Sequence, residues 1–319
     1  MDPAERIPLP PFPNGWFKVA YSDELGPGEV KKAHWLGREF VIFRTEGGEA
    51  RVLDAYCPHL GAHLGVGGKV EGDTIRCPFH AWRFQGDTGK CVEVPYATRI
   101  PPKAEVKAWP VLEQNGFIAI YWHVEGKVAD WKPAVVPEVT NPDYTLHERR
   151  SWKLTTHLQE LYENGFDVAH FNTLHGMDVK GVNLEAEGPI MKLHLEFGRS
   201  NSAQASAEGM ATIRSFMYGP GLSLTRVAGL IEGVSVQSLT PIDPCLMELT
   251  HNYYVHKDSD KATVAGFFDY YAKDWELDMP LWNNKLFREK PNLAEGDGDI
   301  SRFRRWYKQF YSTPVEVAF

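Results

Sequence analysis

Two short segments of the 319-residue chain carry two cysteines and two histidines at spacings typical of a metal centre. Cys57 and His59 are separated by one residue, Cys77 and His80 by two, and 17 residues lie between the pairs. A proline follows each cysteine and fixes φ there, which stiffens both segments. The pattern predicts two hairpin loops, each of which presents one thiolate and one imidazole to the same centre.

The distribution of these residues between the loops indicates the kind of centre. In a Rieske [2Fe–2S] cluster two histidines replace two cysteines on one iron. Cys57 and Cys77 would then hold one iron, and His59 and His80 the other. A structural zinc site is the main alternative, but zinc fingers place both cysteines in one turn and both histidines in another. Buried cysteines beside incidental histidines are the remaining alternative.

Composition limits what surrounds this centre. The chain has 34 basic and 42 acidic residues, a formal net charge of -8, which disfavours a nucleic-acid partner. No stretch approaches the ~20 apolar residues of a membrane span, and the N-terminus lacks an apolar signal core. Four cysteines are too few for a disulfide scaffold, and Cys91 and Cys245 are expected to be small buried residues. We therefore expect a cytoplasmic protein without a membrane span.

The pattern of apolar residues predicts an α+β chain. In the first part, runs typical of strands occupy 17–20, 39–44, 51–55 and 117–122. Pro133, Pro137 and Pro142 mark a boundary, which gives an all-β domain at 1–135 and a second domain at 136–319. In the second, strand-like runs occupy 191–197, 211–217 and 246–255, and helical patterns occupy 156–170 and 270–310. Helices against one antiparallel sheet are the simplest arrangement for this second domain.

A second group of chemically active residues lies near the start of the second domain. Asn164, Asp167 and His170 recur at three-residue steps and would share one face of a helix. His175 follows five residues later, so the helix must end or loosen first. Two histidines and one carboxylate form the facial triad of non-haem Fe(II) oxygenases, whose other face stays open for O₂. The alternative is a helix whose histidines only cap and pack.

The sequences CPHLGAHL at 57–64 and CPFHAWRF at 77–84 resemble the Rieske domain of the Rieske non-haem iron oxygenases. The resemblance covers most of the chain and implies an all-β Rieske domain followed by a helix-grip-like catalytic domain. Ala81 stands where this family commonly has glycine, although it is not a ligand. His63 lies outside the ligand pattern and is expected to be a loop residue near the cluster.

The same resemblance implies roles for the second group. His170 and His175 would be the two imidazole ligands of a mononuclear iron. Asp167 matches the carboxylate that, in this family, links a ligand histidine of one subunit to the second Rieske histidine of its neighbour, here His170 to His80. Asn164 matches a position close to the iron in the family motif.

The third iron ligand would be a carboxylate far downstream. The acidic candidates are Asp269, Asp274, Glu276 and Asp278. Asp278, Leu281, Trp282 and Lys285 resemble a D-x-x-hydrophobic-W-x-x-K pattern of the 3-ketosteroid 9α-hydroxylase and Rieske sterol oxygenase branch, so Asp278 is preferred, with Asp274 next.

Further C-terminal residues resemble the same branch. They include FRRWYKQFY at 303–311, in which Arg304 and Trp306 are expected to pack rather than line a pocket. The middle of the chain, about 180–265, contains no recognisable motif, although a pocket would be lined there.

Together these resemblances imply the terminal oxygenase component of a monooxygenase of lipid metabolism. It would use O₂ at a mononuclear Fe(II) to hydroxylate or desaturate a hydrophobic polycyclic substrate, a steroid or sterol. The chain has no dinucleotide fingerprint, so electrons from NAD(P)H would come through a separate reductase, alone or with a ferredoxin. The family assembles as a homotrimer.

Two alternative functions remain open from the sequence. One is an aromatic-ring hydroxylating oxygenase, and the other is a non-catalytic Rieske electron-transfer protein. Iron content separates the oxygenases, with three irons per chain, from the electron-transfer protein, with two.

Overall fold

The chain divides into two units at Trp122. One unit spans Phe17–Trp122, and the other combines Met1–Trp16 with His123–Phe319. The computed structural model describes residues 3–197, 212–229 and 231–312. The boundary inferred from the prolines, between 135 and 136, lies further along the chain than this division, and the first sixteen residues join the second unit.

The first unit is built from short strands. They are β1 (Gly15–Tyr21), β2 (Val30–Trp35), β3 (Arg38–Arg44), β4 (Ala50–Asp54), β5 (Lys69–Glu71), β6 (Thr74–Arg76), β7 (Arg83–Gln85), β8 (Cys91–Glu93), β9 (Val111–Gln114) and β10 (Phe117–Trp122). They form three sheets with the orders β1-β10-β9, β2-β3-β4 and β5-β6-β7-β8. The runs predicted as strands fall on β1, β3, β4 and β10, and the β character of this region is confirmed.

The core of the first unit reaches the two cysteine segments. Val41, Phe43 and Phe84 are fully buried and belong to the same apolar cluster as Cys57 and Cys77. Burying an aliphatic or aromatic side chain of this size stabilises a fold by about 1.5–3 kcal/mol. The packing that holds β3 and β7 therefore also holds the loops that carry the cysteines.

The second unit is one antiparallel sheet with helices. Its strands are β11 (Tyr144–Leu154), β12 (Val179–Glu187), β13 (Ile190–Phe197), β14 (Thr212–Tyr218), β15 (Leu222–Ala228), β16 (Gly233–Asp243) and β17 (Leu246–His256). Its helices are α1 (Pro3–Arg6), α2 (Leu158–Glu163), α3 (Val168–Thr173), α4 (Lys261–Asn284) and α5 (Ile300–Tyr307). The strand order is β11-β17-β16-β15-β14-β13-β12, so β12 to β17 form a meander and β11 pairs with β17. The predicted α+β class is confirmed.

The helix predicted over 156–170 is divided at Asp167. A short 3₁₀ turn, Asn164–Phe166, follows α2, and Asp167 then adopts an extended conformation with ψ 94°. Its side chain accepts a hydrogen bond from the N–H of His170 and so caps α3. Asp167 therefore ends one helical segment and caps the next. The three-residue periodicity of the sequence did not reveal this break.

The helical pattern predicted over 270–310 is also interrupted. Helix α4 begins earlier, after Asp260, whose carboxylate accepts the N–H of Thr263. Residues 285–299 are not helical and separate α4 from α5. Gly296 and Gly298 in this segment have φ of +98° and +90°, values that glycine adopts without the penalty of a Cβ.

Helix α4 packs against the sheet of its own unit through aromatic and aliphatic residues. Phe268 is buried with Val227, Val255 and Val264, and its ring stacks on that of Tyr253 at 4.2 Å. This contact fixes the helix that carries all four acidic residues considered as the third iron ligand. No helix within the described ranges combines the length and hydrophobicity that crossing a bilayer requires.

A buried ion pair connects α5 to α2. The guanidinium of Arg304 donates to both carboxylate oxygens of Glu163, at 2.6 and 2.8 Å, and also to the carbonyl of Arg288 at 2.6 Å. Both side chains are nearly inaccessible, at 5% and 7% exposure. Arg304 therefore packs inside the unit, and it holds the end of α2 from which the chain continues to Asn164.

Arg304→Met is expected to lower the free energy of unfolding by about 3–5 kcal/mol, because it leaves the Glu163 carboxylate buried without its counter-charge. Urea unfolding followed by circular dichroism measures the change. Arg305→Met, at an exposed position of the same helix, is the matched control and should change stability by less than about 0.5 kcal/mol. Equal stability of Arg304→Met and wild type would contradict a structural role for the pair.

Candidate metal centres

Cys57 and Cys77 begin two loops with the same backbone hydrogen bonds. The N–H of Cys57 bonds to the carbonyl of Ala62 at 2.9 Å, and that of Cys77 to the carbonyl of Trp82 at 2.8 Å. The two thiols lie close enough to interact directly. The repeated Cys-Pro segments therefore fold alike and bring both sulfurs to one place.

A left-handed residue closes each loop four positions after its cysteine. Gly61 and Ala81 have φ of +75° and +58°, and each donates its N–H to the cysteine carbonyl. This conformation costs an L-residue about 1–2 kcal/mol, whereas glycine adopts it freely. Ala81, which departs from the pattern of the similar family, thus occupies a position where glycine is favoured for conformational reasons alone.

The two imidazoles of the loops face one another. The rings of His59 and His80 meet edge to face, with centroids 4.6 Å apart. On its other side, His59 stacks on Trp82 at 4.6 Å and an angle of 8°. The indole of Trp82 is itself fixed, because its N–H donates to the hydroxyl of Tyr96 at 2.8 Å. These contacts hold two cysteines and two histidines in one small region.

The donor set fits an iron–sulfur cluster. Burial and the adjacent Cys77 thiol raise the pKa of Cys57 to about 11, so without a metal this thiol would be neutral. Iron removes this obstacle, since a coordinating thiol is deprotonated. The Nδ1 atom of His59 is buried and has no hydrogen-bond partner within the described ranges, as expected for an atom that ligates a metal.

A second group of ligands lies in the other unit. One atom each of His170, His175 and Asp278 lie within 4.8 Å of one another, the only such group of three in the described part of the chain. The Asp278 carboxylate is 3.3 Å from Nε2 of His175 and 4.0 Å from Nε2 of His170. His170 belongs to α3 and His175 follows its end, as the spacing required, while Asp278 lies on α4.

Charge in this second group favours a cation. Burial alone would lower the pKa of His175, but the carboxylates of Asp274 and Asp278 outweigh it and raise the pKa to about 9. At His170 burial prevails and lowers the pKa. Two carboxylates held against two imidazoles in a largely buried site offer a divalent metal ligands of suitable chemistry, so the residues fit a mononuclear iron.

Asp274 contacts the site differently from Asp278. Its carboxylate lies 3.4 Å from Nδ1 of His175, the ring nitrogen on the side away from Asp278. This is an ion-pair distance, and Nδ1 makes no hydrogen bond within the described ranges. A carboxylate beside a ligand imidazole favours one orientation of the ring. The structure therefore places Asp278 in the three-residue group and Asp274 behind His175, while Asp269 pairs with Arg150 and Glu276 accepts from Trp152.

The residues around His170 differ in part from the expectation. Asn164 lies beside the ring, with Nδ2 3.1 Å from Nε2 of His170. Asp167 contacts the same ring through its backbone carbonyl, which accepts from Nδ1 at 2.6 Å. Its carboxylate instead accepts the backbone N–H of His170 at 3.1 Å. Within the subunit, the carboxylate of Asp167 thus caps a helix and does not bond the imidazole.

A cavity of about 520 Å³ opens onto this second group. Most of its wall is apolar and comes from α2, α3, α4 and strands β13 to β16. The four strands lie in the region without a recognisable motif. Its polar lining residues include Ser215, Ser223, Thr225, Gln237 and Tyr271. Sequence reasoning named none of them, although the alternation Ser223-Leu-Thr225 already indicated polar residues on one face of a strand.

Other residues singled out in the sequence have structural places. His63 accepts the N–H of Gly65 and lies 3.5 Å from the carboxylate of Glu39, inside the first cysteine loop. Cys91 is buried beside the cluster residues and its thiol donates to the carbonyl of Glu93. Cys245 is only partly buried, contrary to expectation, because it lies in the turn between β16 and β17.

Comparison with protein families matches both units. Residues 15–110 match the Rieske [2Fe–2S] domain. Residues 120–311 match the 3-ketosteroid 9α-hydroxylase C-terminal domain. The two matches together span the cysteine and histidine loops and the His170–His175–Asp278 group.

Individual proteins are similar over nearly the whole chain. A cholesterol 7-desaturase of Ciona intestinalis is 37% identical, over 95% of this chain and 70% of that protein. The oxygenase component of a 3-ketosteroid-9-alpha-monooxygenase of Rhodococcus rhodochrous is 30% identical, over 94% of this chain and 84% of that protein.

Among solved structures, dicamba monooxygenase bound to dicamba superposes with a TM-score of 0.72 at 17% identity, over 93% of this chain and 96% of the other. Identity this low establishes a shared fold. With the family matches and the relatives above, the chain belongs to the Rieske non-haem iron oxygenases, in the branch with a 3-ketosteroid 9α-hydroxylase C-terminal domain.

Proposed function

We propose that this protein is the terminal oxygenase component of a system that hydroxylates or desaturates a steroid or sterol. The observation that carries the proposal is the cavity of about 520 Å³, mostly apolar, onto which His170, His175 and Asp278 open. Its volume lies within the ~300–1,000 Å³ typical of small-molecule sites. Relatives named for cholesterol and for 3-ketosteroids support the substrate class.

In this proposal His170, His175 and Asp278 hold a mononuclear Fe(II) on one face. Bound there, the metal supplies O₂ activation at its open positions. Asp274 keeps the His175 ring oriented through the contact with Nδ1. Asn164 lies beside His170 and lines the cavity, where it limits how substrate approaches the site. The apolar wall binds the fused rings and keeps water from the reacting C–H bond.

We further propose that Cys57, Cys77, His59 and His80 hold the Rieske cluster, which receives electrons originating from NAD(P)H. A separate reductase, alone or with a ferredoxin, would supply them, in keeping with a relative named as an oxygenase component. Exposed apolar side chains near His80 suit docking of a partner: Phe79 and Tyr96 are 62% and 63% exposed.

Assembly is part of the proposal. We expect a cytoplasmic homotrimer in which Asp167 connects His170 of one subunit to His80 of the next. The half-buried carboxylate of Asp167 lies next to His170 and accepts its backbone N–H. Its remaining acceptor capacity is therefore suited to a second imidazole. Such an enzyme would act in lipid metabolism.

The first prediction from the proposed function concerns the substrate. With a reductase, O₂ and NADH, consumption of both O₂ and NADH should rise when cholesterol or a 3-ketosteroid is added, with one oxidised product per O₂. Mass spectrometry of the product separates hydroxylation, which adds oxygen, from desaturation, which removes two hydrogens. A panel of single-ring aromatic acids is the control, and product formation from these alone would favour the aromatic-ring alternative.

The second prediction concerns the mononuclear iron. His170→Ala, His175→Ala and Asp278→Ala should each reduce iron from three to two per chain and abolish turnover, because each removes one of three ligands. Asp274→Asn should weaken iron binding about 10- to 100-fold without abolishing it. Asp269→Ala, on the exposed side of α4, is the control and should keep three irons.

The visible spectrum of the Rieske cluster should survive in all these variants, since the cluster ligands belong to the other unit. Two irons per chain in the wild type, with an intact cluster spectrum, would contradict the oxygenase proposal and favour the electron-transfer alternative.

The third prediction concerns Asp167. Asp167→Asn keeps the shape of the side chain and the backbone carbonyl that accepts from His170 Nδ1, but it removes the charge that would attract the metal-bound N–H of His80 from the neighbouring subunit. In a single turnover of pre-reduced protein with substrate and O₂, oxidation of the Rieske cluster should slow by tenfold or more, while trimer and iron content persist. Asp178→Asn, a carboxylate of the same segment paired with Lys180, should leave the rate unchanged. An unchanged rate in Asp167→Asn would eliminate this route.

A further inference from the structure

Five of the polar side chains that line the mostly apolar cavity form a connected group. The hydroxyl of Ser223 donates to Oε1 of Gln237 at 2.7 Å. The Nε2 atom of Gln237 lies 3.3 Å from both Thr225 Oγ1 and the hydroxyl of Tyr271. Ser215 extends the group, with its hydroxyl 3.0 Å from that of Thr225. We call these five residues the polar group.

The sheet brings the polar group together from three neighbouring strands. Ser215 of β14 lies directly opposite Thr225 of β15, and Ser223 of β15 lies opposite Gln237 of β16. Residues opposite one another in an antiparallel pair lie on the same face. Tyr271 reaches this face from α4, whose Phe268 packs on the sheet. Chain topology therefore builds the group at a defined place on the wall.

The hydrogen bonds that the Gln237 amide donates inside the polar group are long. Gln237 is 97% buried, and its amide nitrogen has three acceptors at 3.3–3.4 Å, one of them Ser235. Amide hydrogen bonds are typically 2.9–3.0 Å, and two N–H groups cannot serve three acceptors well. A ligand oxygen at normal distance would improve on these contacts. The hydroxyls of Thr225 and Tyr271 can rotate to donate or accept as well.

The polar group is uncharged and stands apart from the iron ligands. The ionisable acids and imidazoles in the described cavity wall are His170, His175 and Asp278 at the metal end and Asp274, which lies three residues after Tyr271 on α4, and no lysine or arginine lines it. Tyr271 precedes Asp278 by seven residues on α4, about two turns or ~10 Å along the helix axis. The cavity thus has a metal end and a neutral polar end.

We infer that the polar group binds an uncharged oxygen function of the substrate, a hydroxyl or a ketone, while a different part of the same molecule faces the iron. The inference rests on the proposed function and deepens it by naming a specificity site. A carboxylate or sulfate ester at this place would be buried without a counter-ion, which is costly. The polar group therefore selects free hydroxy- or keto-steroids over their anionic conjugates, and it sets which C–H bond reaches the metal.

The test is isothermal titration calorimetry of the iron- and cluster-loaded protein, oxidised and without O₂. The ligands are cholesterol, cholest-4-en-3-one, cholest-5-ene, which lacks the oxygen, and cholesterol sulfate, all delivered from cyclodextrin. Wild type should bind cholesterol or the ketone about tenfold or more tightly than cholest-5-ene, because an unpaired buried polar group is penalised. It should bind the sulfate still more weakly. The tighter of the first two ligands identifies the preferred oxygen function.

Variants connect the preference to the polar group. Gln237→Leu should lower the affinity for the oxygenated ligand to that for cholest-5-ene and leave the affinity for cholest-5-ene itself unchanged. A merely structural role of Gln237 would lower both affinities. Tyr271→Phe keeps the ring and should reduce the same difference. Ser238→Ala is the control, since it removes a buried hydroxyl on the other face of β16 that bonds to Thr250.

Two results would overturn the inference while leaving the proposed function intact: equal wild-type affinity for cholesterol, the ketone and cholest-5-ene, or an undiminished preference in both Gln237→Leu and Tyr271→Phe. Failure of all four ligands to bind would overturn the proposed function itself.

Discussion

The imidazole of His175 is held from two sides by carboxylates of one helix, and the catalytic unit is organised around this contact. Asp274 and Asp278 lie four residues apart on α4, and face Nδ1 and Nε2 of the same ring. The contact joins a helix near the end of the chain to a segment about 100 residues earlier. It requires α4 to be fixed on the sheet, which Phe268 and Tyr253 achieve, and α2 to be fixed behind the site, which Arg304 and Glu163 achieve.

The same elements form the cavity. Helix α4 supplies both the acidic residues of the metal end and the tyrosine of the polar end, while β14 to β16 supply the opposite wall. Burial that favours apolar substrate binding also makes a charged ligand set costly unless a cation is present. A metal site opening onto a neutral, mostly apolar cavity is therefore consistent with an uncharged hydrophobic substrate, and the Rieske loops in the other unit are consistent with delivery of electrons one at a time.

The sequence predicted the local chemistry well and the long-range contacts poorly. Alternating runs and the Cys-Pro repeats identified strands and loops, because these features depend on neighbouring residues. The break at Asp167 was missed because a capping carboxylate and a helical residue look alike in a periodic pattern. Asp278 could be preferred over Asp274 only by resemblance, since one helical turn separates them and only the tertiary position of His175 distinguishes their roles. The polar group was invisible because its members come from four elements, each with one or two ordinary residues.

The central claim is that one chain carries a two-iron cluster and a separate mononuclear iron at the residues named here. Anomalous diffraction from crystals of the purified protein, recorded on both sides of the iron absorption edge, tests it directly. The account predicts two iron peaks between the Cys57–Cys77 and His59–His80 pairs and a third within bonding distance of His170, His175 and Asp278. A single peak at the zinc edge between the cysteine loops, or no peak at the His170–His175–Asp278 group, would contradict it.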